Sequence, residues 1–265
     1  MFIIYCLLPI THFSQRSFQT NRAMDTTQNK FTIEIWSDIV CPFCYLGKRK
    51  FEAALNQFPE KEQVVIEWKS FQLNPGVVTD TSTSIYTYLS QTKGMSEDVA
   101  KQMTAQITAR GKEVNIMYNF DETKVINTLN AHCLLHFAKD LGLQGQAKER
   151  LLKAYFTEAE NVDDHVNLLR LGEEIGLERM QLDHVLKEKV YAQAVQADMA
   201  LAQQFGVGGV PFFVFNRKYA VSGAQESLVF LDTLLKSFGE WKENNPNSQM
   251  TVKDGESCAP NEECE

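Results

Sequence analysis

The stretch Phe31–Phe58, FTIEIWSDIVCPFCYLGKRKFEAALNQF, decides the fold of this chain of 265 residues. Its first residues alternate apolar and polar side chains, which is typical of a half-buried strand. Its second half repeats apolar residues at helical spacing. Cys41 and Cys44 stand where the two patterns meet, and Pro42 follows the first cysteine. The stretch therefore predicts a strand, a helix that begins at Pro42, and a cysteine pair at their junction.

The position of Cys41 favours a reactive thiolate. Proline suits the first turn of a helix because its missing N–H would have no partner there, so we expect Cys41 at the N-cap. Unpaired amides and the helix dipole hold the pKa of such a cysteine at about 3.5–7.5 instead of about 8.5. Cys44 follows one turn later, close enough to form a disulfide with Cys41. The same spacing occurs in zinc sites, but the preceding strand and the following helix favour redox chemistry.

The composition is that of an ordinary globular protein with a buried core. Hydrophobic residues make up 44% and aromatic residues 11% of the chain, which is enough for one large or two small domains. The formal net charge is −8, and the sequence contains no long basic block. Neither nucleic acid nor an anionic membrane is therefore expected as a partner.

The N-terminal segment differs from the rest of the chain. Its apolar part, 2–8, is shorter than the roughly 20 residues that span a bilayer, and it lacks the basic start and the cleavage site of a signal peptide. The part at 11–23 carries arginine, serine and threonine but no acidic residue, a composition similar to that of transit peptides. We interpret 1–24 as a leader or a mis-assigned extension. We expect a cytoplasmic protein, with an export or organelle signal within 1–23 left open.

The remaining patterns divide the chain into segments. A second strand is predicted at Val64–Phe71, and only helical spacing follows until Gln204. Strand patterns return at Phe212–Phe215 and Tyr219–Val221, close enough for an antiparallel hairpin, and a last helix follows. The predicted order is β-α-β, an all-helical insertion, then β-β-α. The corresponding boundaries are 31–75 and 206–240 for the two parts of an α/β domain, 76–205 for the insertion and 241–265 for a flexible tail.

Five motifs carry a family resemblance. They are Ser37–Lys48, Leu73–Pro75, Asn127–His132, Tyr155–Glu158 and Gly206–Phe215. With them, the chain from about 32 to 238 resembles the DsbA-like thioredoxin superfamily. Within it, the chain is similar to the FrnE-like branch, which is related to 2-hydroxychromene-2-carboxylate isomerases and kappa-class glutathione transferases. The resemblance implies a thioredoxin-like α/β fold with a mixed sheet and a large helical insertion.

The resemblance also implies how the site is built. It implies a cis bond between Val210 and Pro211, with the backbone of Val210 facing Cys41 and able to pair with an extended substrate. Pro42 and Phe43 would contact the substrate as well. The related isomerases and transferases usually carry serine at the position of Cys41 and use glutathione. Because this chain keeps both cysteines, dithiol exchange is favoured over isomerisation.

The predicted function is that of a protein thiol–disulfide oxidoreductase. Cys41 forms a mixed disulfide with the substrate, and Cys44 resolves it. The partner would be a protein or a small molecule that contains a thiol or a disulfide. We expect no metal and no cofactor other than the redox-active cysteines, with glutathione left open as a co-substrate. The direction of electron transfer, the physiological substrate and the oligomeric state stay open.

Acidic residues and histidines supply weaker candidates. Asp38 or Glu34 could accept the proton of Cys44, or each could be a solvated charge at the end of a strand. His132 could line the active-site cleft. His132 and His136 have the spacing of a metal-binding pair on a helix, but the acidic residue of an H-E-x-x-H motif is missing. We interpret these two residues as core histidines.

Two cysteines near the C-terminus leave alternatives open. Cys258 and Cys264 could be exposed thiols or a private disulfide, or an auxiliary pair that exchanges electrons with Cys41 and Cys44. The four cysteines could also complete one zinc site in a non-enzymatic interaction protein. The enzymatic alternative is a glutathione-dependent isomerase or transferase that acts on a small molecule.

Overall fold

A computed structural model of the protein describes residues 30–245. The predicted leader at 1–24 and the cysteines Cys258 and Cys264 lie outside the described residues. The strands are β1 (Phe31–Ser37), β2 (Val64–Ser70), β3 (Phe212–Phe215) and β4 (Tyr219–Ser222). The α-helices are α1 (Pro42–Gln57), α2 (Ile85–Lys93), α3 (Glu97–Lys112), α4 (Leu129–Asp140), α5 (Gln144–Phe156), α6 (His165–Glu174), α7 (Arg179–Lys187), α8 (Ala192–Gln204) and α9 (Ser227–Asn244).

The sheet is mixed, as predicted, and its strand order is β2-β1-β3-β4. β1 pairs in parallel with the whole of β2 and antiparallel with β3, which also pairs antiparallel with β4. Three residues separate β3 from β4. The positive φ angles of Asn216 and Arg217, 47° and 54°, and the hydrogen bond from the N–H of Lys218 to the carbonyl oxygen of Phe215 at 3.0 Å are features of a type I′ turn. The parallel strands need a crossover, and α1 provides it. The cysteines therefore follow the carboxyl end of a central strand.

Helices α1 and α9 pack together with β3 through aromatic side chains. The ring of Phe51 lies 5.4 Å from that of Phe213 and 5.8 Å from that of Phe230. At the far end of α9, the ring of Trp241 lies 5.9 Å from that of Phe31. The segment 241–244, predicted as the start of a flexible tail, is helical, because the buried indole of Trp241 fixes the last turns of α9 against β1.

The helical insertion consists of α2 to α8 and lies between β2 and β3, as predicted. Its main apolar cluster is built largely on α4 and α5 and includes Ile39, Tyr45 and Leu46 beside the cysteines. At the start of α6, the carboxylate of Asp164 accepts the N–H of Asn167 at 2.9 Å. None of the helices in the described part of the chain is both long enough and apolar enough to cross a membrane. The insertion packs directly against the start of α1.

Candidate active site

The cysteines lie at the start of α1, where the sequence predicts them. Cys41 is the N-cap, with φ −91° and ψ 110°. The N–H of Cys44 donates to the carbonyl oxygen of Cys41 at 3.0 Å. Both residues are free thiols. Cys41 is 4% exposed and Cys44 is fully buried, so a molecule from outside can reach only Cys41.

The loop before β3 meets the sulfur of Cys41. The Val210–Pro211 peptide is cis, as the resemblance implies. The Sγ of Cys41 lies 3.4 Å from the carbonyl oxygen of Val210, across 169 positions of the sequence. Phe212 pairs with Trp36 in the sheet, which brings the residues before β3 to the carboxyl end of β1. The structure therefore unites the two sequence motifs that the resemblance connects.

Gly47 permits the close approach of α1 to this loop. A Cβ atom at position 47 would lie 2.9 Å from Cγ of Pro211 and 3.4 Å from Cζ of Phe213. Because the first distance is shorter than carbon atoms tolerate, a side chain at this position would separate α1 from Pro211. A glycine one turn after Cys44 thus keeps Pro211 against the cysteine helix.

The two residues between the cysteines have different surroundings. The carbonyl oxygen of Pro42 accepts a hydrogen bond from the hydroxyl of Tyr118 at 2.6 Å. The side chain of Phe43 is exposed, and the guanidinium of Arg110 lies 5.8 Å from the centre of its ring. Pro42 is therefore tied to the insertion, whereas Phe43 offers an apolar surface beside Cys41.

Asp38 is a buried carboxylate that the fold holds in place. Its Oδ1 accepts the N–H of Ile39 at 2.7 Å and its Oδ2 accepts the N–H of Leu73 at 2.8 Å. The Nε2 of His132 lies 3.3 Å from Oδ1. Burial opposes the charge, but the hydrogen bonds from His132 and Leu73 outweigh it and lower the pKa of Asp38. Burial also lowers the pKa of His132. Asp38 is therefore not a solvated charge at the end of a strand.

Two other candidates from the sequence are engaged elsewhere. Glu34 is buried, and its carboxylate accepts hydrogen bonds from Nε and Nη2 of Arg217 at 2.9 and 3.0 Å. His136 lies 3.1 Å from the hydroxyl of Ser70 and 3.2 Å from the carboxylate of Asp198. Glu34 is therefore neither solvated nor free to act as a base, and His136 contacts a different carboxylate from the one that His132 contacts.

Lys148 is the residue that sequence reasoning missed. This lysine of α5 is fully buried, and its Nζ has no hydrogen-bond partner among residues 30–245. The Nζ lies 5.5 Å from the centre of the Trp68 ring. Burial lowers the pKa of Lys148 to about 8, although the charges of Cys44 and Asp38 act in the opposite direction. Lys148, Asp38 and His132 form what we call the buried polar cluster of the site.

A signal for Lys148 was present in the sequence. Lys148 shares one face of α5 with Leu151, Leu152 and Tyr155, because residues three, four and seven positions apart lie on the same side of a helix. These three neighbours are buried. A lysine within an apolar stripe is normally at its edge, with the ammonium reaching water. Only the tertiary structure shows that this ammonium cannot do so.

The two thiols titrate as a pair. The hydrogen bond with Cys44, together with burial, raises the pKa of Cys41. Burial opposes ionisation of Cys44 as well, but the hydrogen bond from Cys41 and the charge of Lys148 outweigh it and lower the pKa of Cys44. The first proton lost therefore belongs to the pair. This differs from the expectation of a low pKa at Cys41 alone, because the hydrogen bond with Cys44 and the burial of the sulfur outweigh the backbone N–H of Cys44, which acts in the opposite direction.

An apolar cavity opens on the other side of Cys41. Its volume is about 540 Å³. It is bounded by the cysteine loop, the Val210 loop, helices α2 and α3, and the segment 120–128. Cys41 lines the cavity, and Cys44 is not among its lining residues. The apolar side chains of the wall include Ile85, Leu89, Met103, Ile107, Phe120 and Ile126.

Comparisons with known proteins agree with this geometry. The family profile of the DSBA-like thioredoxin domain matches residues 32–235. The crystal structure of a probable DsbA oxidoreductase from Streptomyces coelicolor is 33% identical, covers 87% of this chain and 97% of its own, and superposes with a TM-score of 0.74. The protein YwbO of Bacillus subtilis (strain 168) is 25% identical over 191 residues, which are 69% of this chain and 86% of YwbO.

A more distant structure shows the fold alone. A 2-hydroxychromene-2-carboxylate isomerase superposes with a TM-score of 0.58 at 13% identity. The superposition covers 82% of this chain and 100% of the isomerase chain. The matched family segment runs from β1 into α9 and contains both cysteines and the Val210 loop. The chain therefore belongs to the family of DsbA-like thioredoxin domains.

Proposed function

We propose that the protein is a thiol–disulfide oxidoreductase in which Cys41 and Cys44 alternate between a dithiol and a disulfide. The observation that carries the proposal is the asymmetry of the two thiols. Cys41 lines a cavity and lies 3.4 Å from the carbonyl oxygen of Val210, whereas Cys44 is sealed beneath it. A pair of this kind supports attack by one sulfur and resolution by the other.

In the reducing direction, the reaction begins with a proton transfer within the pair. The reduced pair has given one proton to solvent and holds its thiolate on Cys44, the thiol with the lower pKa. Cys44 takes the remaining proton from Cys41 through their shared hydrogen bond, which leaves the thiolate on Cys41. This thiolate attacks one sulfur of the substrate disulfide, and the other substrate sulfur leaves as a thiolate. Cys44 then gives its proton to the substrate thiolate that has left and attacks Sγ of Cys41. The second substrate thiolate leaves, and the pair ends as a disulfide after donating two electrons.

The buried polar cluster supports the charged states of this cycle. Lys148 has no hydrogen-bond partner, so its charge is available to the thiolate of the reduced pair. Asp38 is held by two backbone N–H groups and stays a carboxylate throughout. Because the ammonium stabilises the thiolate, it stabilises the dithiol form and makes the reduction potential of the pair less negative. No cofactor other than the cysteines is needed for the proposed chemistry.

The test measures insulin reduction and oxidative refolding of a reduced protein side by side. We expect both activities in the native protein and neither in Cys41→Ser. Cys133→Ala is the matched control, because Cys133 is a buried thiol of α4 that takes no part in the proposed cycle. Activity that survives Cys41→Ser, or that is lost in Cys133→Ala without loss of folding, would contradict the proposal.

A further inference from the structure

The cavity in front of Cys41 is large for a site that serves only as a passage to a sulfur. Its volume of about 540 Å³ lies within the range of about 300–1,000 Å³ that pockets for small molecules occupy. Helix α2, which forms one wall, has no fully buried residue. Its apolar side chains Ile85 and Leu89 are only half-buried and face the cavity. The wall therefore offers apolar surface that the protein itself does not cover.

Three hydroxyl groups of the wall are used within the protein. The hydroxyl of Thr104 donates to the carbonyl oxygen of Ala100 at 3.0 Å, and that of Thr123 donates to Asn119 at 2.7 Å. The hydroxyl of Tyr155 donates to the carbonyl oxygen of Lys124 at 2.8 Å. An occupant would find few free hydrogen-bond partners, so a polar molecule would lose more hydration than the wall restores.

Charged partners are scarce as well. Asp38 is the only carboxylate among the described residues that line the cavity, and its two oxygens already accept hydrogen bonds. Lys93, at the exposed end of α2, is the one cation that residues 30–245 contribute to the lining. Glutathione carries two carboxylates and an ammonium group, and its charges would meet a single exposed counter-charge. The cavity therefore suits a neutral occupant.

Access to the sulfur selects against large substrates. Cys41 is only 4% exposed, although its side chain borders the cavity. A sulfur atom of the substrate disulfide must enter the cavity before Sγ of Cys41 can attack it. A disulfide fixed on the surface of a folded protein brings its neighbouring backbone with it, whereas a small molecule can enter whole.

We propose that the substrate is a neutral, apolar disulfide of low molecular weight, whose aromatic or aliphatic body fills the cavity while one sulfur meets Cys41. This inference rests on the proposed thiol–disulfide function. The dithiol supplies both electrons: the substrate S–S bond breaks, the Cys41–Cys44 bond forms, and two molecules of substrate thiol leave. A dithiol reductant such as dithiothreitol restores the cysteines between turnovers.

The experiment compares two disulfides of the same shape and different charge. Bis(4-carboxamidophenyl) disulfide is neutral, and bis(4-carboxyphenyl) disulfide is a dianion. The second-order rate constant of the fully reduced protein is measured for each in a single turnover, from release of the aryl thiolate. Each constant is divided by that of dithiothreitol with the same compound, which removes intrinsic reactivity. We expect the protein to prefer the neutral compound by about tenfold or more.

Variants of the cavity wall locate the preference. Met103→Lys adds a cation to the wall beside α2. We therefore expect it to raise the rate constant for the dianion about tenfold and to lower the rate constant for the neutral compound. Met180→Lys is the matched control, because Met180 is 77% exposed and lies on α7. Thermal unfolding of both variants, compared with that of the native protein, shows that they are folded.

The outcomes separate the inference from the function on which it rests. The first outcome concerns the rate constant of the protein divided by that of dithiothreitol. If this ratio is the same for both aryl disulfides and Met103→Lys does not change it, the cavity does not select the substrate. If the rate constant for insulin, divided by that of dithiothreitol with insulin, exceeds the corresponding ratio for the neutral compound, the substrate is a protein. Both results overturn the inference and leave the redox function intact. If no disulfide reacts faster with the native protein than with Cys41→Ser, the proposed function itself fails.

Discussion

The two sides of the cysteine pair are built from opposite chemistry. Against Cys44 lies the buried polar cluster of Asp38, His132 and Lys148, whose charges have no contact with solvent. In front of Cys41 lies a largely apolar cavity, in which the hydroxyls of Thr104, Thr123 and Tyr155 donate to backbone carbonyl oxygens of the protein. The difference indicates two separate roles. A charge next to a sulfur changes the pKa of that sulfur, and an apolar wall determines which molecule binds beside it.

The helical insertion contributes to both sides, and Asp38 comes from the α/β part. His132 is on α4 and Lys148 is on α5, whereas the cavity wall is formed mainly by α2 and α3. The α/β part supplies the sulfurs and the Val210 loop. Substitutions in the insertion should therefore alter either the redox properties or the substrate preference without removing the reaction, and substitutions of the cysteines should remove it.

The largest expected effect separates the two sulfurs. In Cys44→Ser, Cys41 can still attack the substrate, but no thiol is left to resolve the mixed disulfide. Turnover should fall by about a thousandfold, while one equivalent of substrate thiol is still released and the adduct remains on Cys41. Mass spectrometry of the variant after reaction detects this adduct. A variant that turns over at the native rate would show that the buried sulfur is not the resolving one.

The second prediction concerns the charge of the buried polar cluster. Burial holds the pKa of Lys148 at about 8 in the folded protein, against 10.5 for an ordinary lysine. Unfolding therefore takes up a proton between these pH values, so the free energy of unfolding rises with pH across this window. We expect a rise of about 2 to 3 kcal/mol between pH 8 and pH 10.

Urea unfolding measures this rise. Cys41→Ser/Cys44→Ser is the starting protein, because it removes the titration of the thiols. Adding Lys148→Met to it should abolish the rise, since methionine has a similar length and no charge. Equal pH profiles with and without Lys148→Met would mean that the lysine titrates as an exposed one does.

How far the sequence predicts this site depends on whether its signals are local. The alternation before Ser37, Pro42 after Cys41 and the apolar spacing beyond it act within a few residues, and the strand, the helix and the N-cap cysteine follow from them. The hairpin at 212–222 is predicted for the same reason. The approach of Val210 to Cys41 depends on strand pairing, and only a family resemblance made it visible in advance.

The parts that the sequence did not predict depend on tertiary burial. Glu34 follows the polar register of a strand, but Arg217 from the hairpin turn covers it. Lys148 has the pattern of an amphipathic helix, and nothing nearby in the sequence indicates that the sheet and α1 close over its end. The last turns of α9 look polar, and the packing of Trp241 against Phe31 keeps them helical. In each case the deciding contact is far away in the chain.

The third prediction tests the contact that keeps the Val210 loop against α1. Gly47→Ala places a methyl group 2.9 Å from Cγ of Pro211, so it should lower the free energy of unfolding by about 1 to 3 kcal/mol. Displacement of Pro211 should also slow the attack of Cys41. Gly239→Ala is the matched control, because a Cβ atom there meets nothing within 4 Å inside α9.

Thermal unfolding and the single-turnover rate measure both effects. Gly239→Ala should raise the free energy of unfolding by about 0.5 to 1 kcal/mol and leave the rate unchanged. If Gly47→Ala is as stable and as fast as the native protein, the contact between α1 and Pro211 contributes nothing to the site.

The smallest expected effect is on the reduction potential, and it tests whether the two sides are independent. Lys148→Met removes the cation that stabilises the thiolate, so the dithiol form becomes less stable and the potential more negative. We expect a shift of about 30 mV, a tenfold change in the equilibrium with glutathione. Lys153→Met, on the exposed side of α5, should leave the potential unchanged. The preference for the neutral aryl disulfide should stay the same in both variants, because the cavity wall does not include either lysine. If Lys148→Met changes that preference as strongly as the potential, charge and cavity act as one unit and the division between the two sides is wrong.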